Sequence, residues 1–375
     1  MMIIIQKIKK YPLLIMVCVF LTGMFVLYQC KKDTSFSDME NRYLVTRPAV
    51  TVKGLADGTF MQEFETYTDE QIPFRTPLIQ LKAAIERLLL KDENNGIILG
   101  KEGYLFEKVL RTDEQLYKNE AILENFIKNT DKTVYAAIAP NACEIFPELV
   151  PAGALHVNQK KEISAFYEQL SNIENCRVVD LEAALSEHRE EQLYYKTDHH
   201  WTTGGAYFAY QEICRQMGSI PVDLTTLNEH QVLDFYGTLY AKYKGFGAEP
   251  DIITYYDIPI VSLASSAGTK DGLYDMDKTK IYDKYAMFLY GNDGVCTIQA
   301  ENAGNGKELV VFKDSYANCM VPFLTYQYDI ITVVDLRYFG ESVKELLQES
   351  ESADILLLYN FSHLNEDKHF YRLTS

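Results

Sequence analysis

Short, continuously apolar segments alternate with helical patterns through much of this chain. The apolar segments are rich in β-branched residues, which is typical of strands buried on both faces, and the stretches between them show apolar residues at helical spacing. This alternation predicts a three-layer α/β/α fold with a mostly parallel sheet. The predicted strands are 133–139, 177–181, 308–312, 330–336 and 355–359, and the predicted helices between them are 160–175, 205–217 and 342–348.

The remaining segments predict how the chain is divided. Residues 77–91 have the spacing of an amphipathic helix, and apolar pairs on either side of Gly100 and Gly103 predict a hairpin. Residues of about 220–305 break the alternation and are rich in Tyr, Gly and Asp, which predicts a loop-rich insertion that lines a site. We therefore expect a cytoplasmic tip and signal anchor over 1–32, a stalk over 33–76 and a catalytic domain over 77–375.

The N-terminus predicts a membrane anchor. Residues 11–28 contain no charge, Lys7, Lys9 and Lys10 precede them, and Lys31-Lys32 follow. A run of this length is near the lower limit for crossing a bilayer, where roughly 20 residues are typical. The lack of a small-residue cleavage site favours an anchor over a cleaved signal, and Gln29 before Cys30 disfavours a lipoprotein. The flanking lysines predict a single-pass cell-membrane protein whose folded body is extracytoplasmic.

The net charge and the cysteine pattern of the chain argue against some classes of function. The 375 residues carry a net charge of −17, which repels phosphate backbones and argues against a nucleic-acid partner while leaving neutral sugars open. Beyond the anchor the cysteines are odd in number and form no CxxC pair, so no zinc or thioredoxin motif is present and disulfides are possible without being required. No cofactor is predicted.

The greatest concentration of reactive side chains is Asp198-His199-His200-Trp201, which includes the only tryptophan. Asp and His serve as orienter and base of a nucleophilic triad, and both are also metal ligands. In an extended or loop conformation Asp198 and His200 lie on the same side, and His199 faces the other way. Trp201 is interpreted as a packing anchor or as a platform for a sugar ring.

Ser315 is the predicted nucleophile. It follows the strand 308–312 and begins a helical pattern, so it is expected at the carboxyl edge of the sheet, where α/β proteins bind ligands. Backbone N–H groups at a helix start can serve an oxyanion, although an ordinary N-cap serine is the alternative. The pair Asp198 and His200 favours a Ser-His-Asp triad. A metal site at the same residues is the rival, but adjacent histidines rarely chelate one ion and no H-E-x-x-H motif is present.

Residues at two other strand ends are candidates for binding the substrate or for donating hydrogen bonds to an oxyanion. Arg337 follows the strand 330–336, and Tyr359-Asn360 end the last predicted strand. Side chains at these ends are expected to reach the edge that holds Ser315. The alternatives are a surface salt bridge or a helix cap. His363 is a second candidate general base, but the sequence places no aspartate at a spacing that would orient its ring.

The Asp-His-His-Trp motif resembles that of the DHHW protein family of bacterial surface proteins. That family is similar to the SGNH-hydrolase-like domain of the alginate O-acetylation proteins, and the resemblance covers most of the chain after the anchor. The other matching motifs are Glu40-Asn41-Arg42, Gly58-Thr59-Phe60, Phe64-Glu65, Phe74-Arg75, Gly100-Lys101-Glu102-Gly103-Tyr104-Leu105-Phe106, Ala139-Pro140-Asn141 and Phe146-Pro147-Glu148.

The resemblance implies a circularly permuted SGNH-like sheet, because Asp and His precede Ser. Asp198, His200 and Trp201 match the Asp-x-His-Trp pattern, with His199 at the variable position. Asp314-Ser315 match a Gly-Asp-Ser block in which Lys313 replaces the usual glycine, so a side chain stands where the substrate approaches the backbone. Arg337 resembles an arginine near the acetyl site.

The function implied by the resemblance is O-acetyl transfer to a cell-surface or exported polysaccharide. A membrane-bound O-acyltransferase partner would deliver the acetyl group across the membrane. Three alternatives stay open: an acetyl-ester hydrolase of the same fold, a non-enzymatic surface protein that binds a polysaccharide or partner, and a metal-dependent hydrolase.

Overall fold

A computed structural model describes residues 11–37 and 42–374 of the chain. Two compact units are present. The N-terminal unit comprises Met1–Leu89 with Lys244–Phe246, and the C-terminal unit comprises Leu90–Tyr243 with Gly247–Ser375. The lysines that precede the apolar run, and the first two residues of the Glu40-Asn41-Arg42 motif, lie outside the described residues.

Among the described residues of the N-terminal unit, one helix is long and apolar enough to cross a membrane. This helix, α1, begins with Pro12, whose fixed φ suits a helix start. An exposed apolar helix near the N-terminus fits either an anchor or a signal sequence. The elements of this unit are α1 (Pro12–Cys30), β1 (Phe36–Ser37), β2 (Arg42–Tyr43), α2 (Val52–Asp57), α3 (Thr59–Gln71) and α4 (Arg75–Leu88).

The C-terminal unit alternates strands and helices as expected. Its strands are β3 (Glu93–Asn94), β4 (Ile97–Leu99), β5 (Leu105–Glu107), β6 (Val134–Ala139), β7 (Cys176–Val179), β8 (Glu229–Phe235), β9 (Asp251–Tyr256), β10 (Ile260–Ser265), β11 (Gly268–Lys270), β12 (Val295–Ala300), β13 (Glu308–Lys313), β14 (Ile330–Val334) and β15 (Asp354–Asn360). Its helices are α5 (Glu114–Lys128), α6 (Ala142–Ile145), α7 (Gln159–Leu170), α8 (Leu181–Ser186), α9 (Thr203–Met217), α10 (Thr238–Tyr243), α11 (Val321–Leu324), α12 (Val343–Glu349) and α13 (Phe361–Glu366). The five predicted strands and three predicted helices are confirmed, as is the hairpin β4–β5.

The main sheet has eight strands in the order β11-β10-β12-β14-β13-β15-β6-β7. The run from β14 to β7 is parallel, whereas β12, β10 and β11 are antiparallel additions at one side. The mostly parallel sheet is therefore confirmed. The last strand, β15, pairs with the first strand of this sheet, β6, while the permutation itself stays a prediction.

Both faces of the sheet are covered. Val311 and Leu356 point into one core, which α9 covers with Ala209, while their neighbours Val310 and Leu357 point into a second core. Helices α5 and α7 pack on the second core. Burial on two faces explains the continuous apolar runs from which these strands could be predicted.

The segment 220–305 contains more regular structure than its sequence indicated. Strands β8 and β9 form a separate pair, and β10 to β12 extend the main sheet. Strand β12 alternates buried with more exposed residues, as Ile298 and Gln299 do, and β10 is also only partly buried, so these strands lack the continuous apolar run of a central strand. The predicted boundary at residue 77 stays a prediction, and α4 groups with the N-terminal unit.

The cysteines are free thiols. The five beyond α1 are buried. Burial raises the pKa of Cys143 and of Cys319 to about 12, which keeps both thiols protonated at neutral pH. These two side chains therefore act as core residues rather than as nucleophiles.

Candidate active site

Polar residues from neighbouring strands meet at one edge of the sheet. Strand β13 leads into Asp314 and Ser315, β14 leads into Asp335, and β15 ends at Asn360. Because β13 pairs in parallel with both β14 and β15, their carboxyl ends lie side by side. The Asp-His-His-Trp loop, which precedes α9, brings the ring of His200 to this edge.

Asp198, His200 and Ser315 form a continuous hydrogen-bonded chain. His200 Nδ1 lies 2.5 Å from Asp198 Oδ1, and His200 Nε2 lies 2.7 Å from Ser315 Oγ. Asp198 and His200 are 2% and 5% exposed, whereas Ser315 is half-buried and reaches the surface. The three side chains have the order and spacing of carboxylate, imidazole and hydroxyl in a nucleophilic triad.

Asp198 is a buried carboxylate with hydrogen-bond donors on both oxygens. Thr238 donates its backbone N–H at 2.7 Å and its hydroxyl at 3.1 Å to Oδ2, and the backbone N–H of His200 donates to Oδ1. Burial alone would raise the pKa of Asp198, but the neighbouring imidazoles and these hydrogen bonds hold it well below its ordinary value. Asp198 therefore stays ionised and can orient the imidazole.

The imidazole of His200 is held against the ring of Tyr285. The two rings are stacked with centroids 3.8 Å apart and planes at 10°, and the Tyr285 hydroxyl donates to the carbonyl of Ser315 at 3.1 Å. Burial and the neighbouring His199 lower the pKa of His200 to about 4, against the opposing effect of Asp198. The ring is therefore neutral at pH 7 and can accept a proton.

His199 does not face away from His200 as the alternating pattern predicted. The two rings lie side by side with centroids 3.9 Å apart, and His199 Nδ1 is 2.6 Å from Thr238 Oγ1. The loop bends through residues 196–200 instead of running extended, so strand alternation does not apply there. His199 thus contacts both the base and the residue that holds the carboxylate.

Asp251 anchors the loop and was missed by sequence reasoning. It accepts hydrogen bonds from the backbone N–H of Lys196 at 2.9 Å and of Thr197 at 2.8 Å, and from the Thr197 hydroxyl at 2.6 Å. Together with Thr238 and Tyr285 it belongs to the segment 220–305. The composition of that segment indicated a site lining, but no motif singled out these residues.

The same cluster also offers three potential metal ligands. Ligand atoms of Asp198, His199 and His200 lie within 4.8 Å of one another. However, both ring nitrogens of His200, Nδ1 of His199 and both oxygens of Asp198 are already engaged in hydrogen bonds. A metal ion would have to break the contact to Ser315 or the contacts to Thr238, so the donor set fits a triad better than a metal centre.

Comparison with known proteins decides the family. The family model of the DHHW protein matches residues 95–334, which is most of the C-terminal unit. The chain belongs to the DHHW family. Of the motifs that carried the resemblance, those before residue 95 lie outside the matched range.

Curated relatives of this DHHW protein are probable alginate O-acetylases AlgJ. The protein of Pseudomonas fluorescens is 25% identical over 187 residues, which cover 46% of this chain and 45% of that protein. The protein of Pseudomonas putida is 26% identical over 172 residues, 42% of this chain and 43% of that protein. The chain thus spans less than half the length of the curated relatives it matches.

Solved structures share the fold. A DHHW family protein from Eubacterium siraeum has a TM-score of 0.61 at 23% identity, covering 75% of this chain and 96% of that one. Bacillus cereus PatB1, solved with a sulfonyl adduct, has a TM-score of 0.61 at 20% identity, covering 73% and 97%. At these identities the likeness concerns the fold alone.

Lys313 does not obstruct the approach to Ser315. Its side chain is buried, and Nζ lies 2.8 Å from Asn292 Oδ1 and 3.3 Å from Asp335 Oδ2. Burial lowers the pKa of Lys313, although Asp335 opposes this effect. The lysine at the usual glycine position therefore belongs to a buried polar network beneath the cleft, and its side chain is not among those that line the cleft.

The other predicted binding residues differ in where their side chains lie. Arg337 lines a cleft of about 480 Å³ together with Ser315, His199 and His363. Its guanidinium makes two hydrogen bonds to Asp335, Nε to Oδ1 at 2.9 Å and Nη2 to Oδ2 at 2.6 Å. Arg337 is therefore brought to the site as predicted, and Asp335 fixes its orientation.

Trp201 and Tyr359 lie beneath the cleft surface instead, whereas Asn360 lies in the cleft lining as a helix cap. Trp201 is fully buried and donates Nε1 to the carbonyl of Tyr316 at 2.8 Å, so it packs behind the serine turn and is not a sugar platform. Tyr359 is also fully buried and stacks on His363. Asn360 lines the cleft, but its amide donates to Ala139 and its side-chain oxygen accepts from Ser362, which makes it a helix cap.

Replacing Lys313 with Met should lower the free energy of unfolding by about 1–3 kcal/mol, because Asn292 and Asp335 each lose a buried hydrogen-bond donor. Chemical denaturation of the full-length protein in detergent measures this change. The matched control is Lys344→Met, since Lys344 is exposed and should change stability little. Equal stability of both variants would contradict the buried network.

Replacing Gly237 with Ala should also destabilise the protein, by roughly 1–3 kcal/mol. A β-carbon at residue 237 would lie 2.2 Å from the β-carbon of Asp198 and 2.6 Å from its α-carbon. Either the loop or the carboxylate must then move. Gly272→Ala is the control, because nothing lies within 4 Å of its added carbon. Thermal unfolding that does not distinguish the two variants would refute this close packing.

Proposed function

We propose that this DHHW protein is an extracytoplasmic O-acetyltransferase that acts through Ser315, His200 and Asp198. The observation that carries the proposal is the hydrogen-bonded chain from Asp198 through His200 to Ser315, which opens onto a cleft. A buried, ionised carboxylate and a neutral imidazole are the states that nucleophilic catalysis requires.

In the first step Ser315 Oγ attacks the carbonyl carbon of an acetyl ester. The serine proton passes to His200 Nε2, which lies 2.7 Å away, and Asp198 stabilises the imidazolium that forms. When the ester C–O bond breaks, His200 returns the proton to the leaving oxygen. The acetyl group is then bonded to Ser315 Oγ. Arg337, one of the two cations that line the cleft, is the residue we assign to stabilising negative charge on the carbonyl oxygen.

In the second step a sugar hydroxyl attacks the acetyl carbon. Its proton passes to His200, the bond from carbon to Ser315 Oγ breaks, and His200 reprotonates the serine. Attack by water instead gives acetate, which is the hydrolase alternative. The names of the AlgJ relatives, probable alginate O-acetylases, support transfer over hydrolysis, and a polysaccharide is the acceptor class that this implies.

The proposal extends to the location of the protein. Helix α1 would anchor the chain in the cell membrane with a single pass, and the C-terminal unit would lie outside the cytoplasm. Because an acetyl donor is made inside the cell, a membrane-bound O-acyltransferase partner is the expected source of the acetyl group.

Replacing Ser315 with Ala should reduce hydrolysis of p-nitrophenyl acetate by on the order of a thousandfold, because the step loses its nucleophile. The full-length protein in detergent micelles is assayed for release of p-nitrophenol. Ser265→Ala, a serine outside the cleft, is the control and should retain the activity of the parent protein. Equal turnover by Ser315→Ala and the parent would refute the triad.

Labelling separates the enzyme from a non-enzymatic binding protein. A serine-directed phosphonate should modify Ser315, and peptide mass spectrometry identifies the labelled residue. A Ser315 that stays unmodified while the protein still binds a polysaccharide would favour the binding protein.

The esterase activity should persist at acidic pH. His200 must be neutral to accept a proton, and its pKa is lowered to about 4, so the neutral form dominates above that pH. The rate constant kcat/KM, measured from about pH 3.5 to 8, should fall as the pH drops through about 4. An acidic limb centred near the ordinary histidine pKa of about 6.5 would contradict the environment described for this ring.

A further inference from the structure

Part of the cleft has no role in the Asp198–His200–Ser315 chain. Helix α13 and the residue after it contribute Ser362, His363, Glu366 and Asp367 to the lining. His363 is held in place because its ring lies parallel to that of Tyr359, with centroids 5.5 Å apart, and its Nε2 is 3.9 Å from Asp367 Oδ2. This part, which we call the α13 wall, presents fixed polar groups beside the nucleophile.

The cleft is predominantly acidic. Four carboxylates and two cations line it, and they are Glu107, Asp314, Glu366, Asp367, Lys242 and Arg337. Lys242 forms an ion pair with Glu107 at 3.3 Å. Burial, and then the negative charge of Glu107, raise the pKa of Glu366, as expected for a carboxyl group that stands near another carboxylate. A negatively charged ligand would meet the same repulsion.

Arg337 does not offset this repulsion. Its guanidinium already holds Asp335 in a two-point contact, with atoms at 2.9 and 2.6 Å. A guanidinium fork that is occupied by one carboxylate is a poor ligand for a second one. Each cation in the cleft lining therefore already has a carboxylate partner.

We propose that the acceptor of this enzyme is a glycan whose sugars carry no carboxylate, either neutral or amino sugars, and that the α13 wall excludes uronic acids. The inference rests on the proposed acetyl transfer and adds the acceptor class to it. The curated relatives are named for alginate, a polyuronate, so this chain would differ from them in acceptor choice.

The experiment offers three acceptors to the full-length protein in detergent, with p-nitrophenyl acetate as donor. The acceptors are oligomers of glucose, of glucosamine and of mannuronate, and mass spectrometry counts acetylated product. Transfer to glucose or glucosamine oligomers should exceed transfer to mannuronate oligomers by about tenfold or more at low salt. The ratio should shrink in 1 M salt, because screening weakens charge repulsion but does not change the shape of the cleft.

In the double variant Glu366→Gln with Asp367→Asn, acetyl transfer to mannuronate oligomers should rise until it approaches transfer to glucose oligomers. Glu124→Gln with Asp277→Asn makes the same change of net charge outside the cleft and should leave the ratio as in the parent protein. Because Asp367 also holds His369, Glu366→Gln alone serves as a second test and should shift the ratio in the same direction.

The outcomes separate the inference from the function on which it rests. Release of p-nitrophenol that does not depend on Ser315 would overturn both the proposed function and the inference about the acceptor. Ser315-dependent release with mannuronate acetylated as fast as glucose overturns the inference and leaves the transferase. Ser315-dependent release with no acceptor acetylated overturns the inference and identifies a hydrolase.

Discussion

The buried charge of Asp198 is the constraint on which the site depends. A carboxylate removed from water costs several kcal/mol unless its oxygens find hydrogen-bond donors. Here the donors are Thr238 and His200, and the close approach of residues 237–238 requires a glycine at 237. The loop that carries Asp198 and the segment that carries Thr238 must therefore pack together before the imidazole can point at Ser315.

A second buried charge cluster lies beneath the serine turn. Asp335 binds both Arg337, which lines the cleft, and Lys313, which does not. The resemblance to the alginate O-acetylation proteins implies a glycine where this chain has Lys313, and the lysine side chain is accommodated because Asn292 and Asp335 accept hydrogen bonds from its ammonium group. The carboxylate of Asp335 thus compensates the charge of the buried Lys313 and fixes Arg337 in the cleft lining.

In the proposed mechanism the cleft divides into a part that performs chemistry and a part that selects the substrate. The Asp-His-His-Trp loop and the strand ends supply the proposed nucleophile, base and orienter. Helix α13 lies beyond the residues matched by the family model, which end at 334, and together with the residue after it supplies two of the four carboxylates in the cleft lining, Glu366 and Asp367. An acceptor wall built apart from the reactive residues is one way in which a single fold can serve several substrates.

The sequence by itself determined the central sheet and indicated the three residues of the proposed triad. Runs such as residues 308–312 are apolar on both faces, so they can only be buried strands, and a polar residue after such a strand lies at the binding edge. It did not determine the half-exposed strands β10 to β12, the partners Thr238, Asp251 and Tyr285, or the directions of His199 and Lys313. These depend on contacts between residues tens of positions apart, and such contacts exist only once the layers have packed.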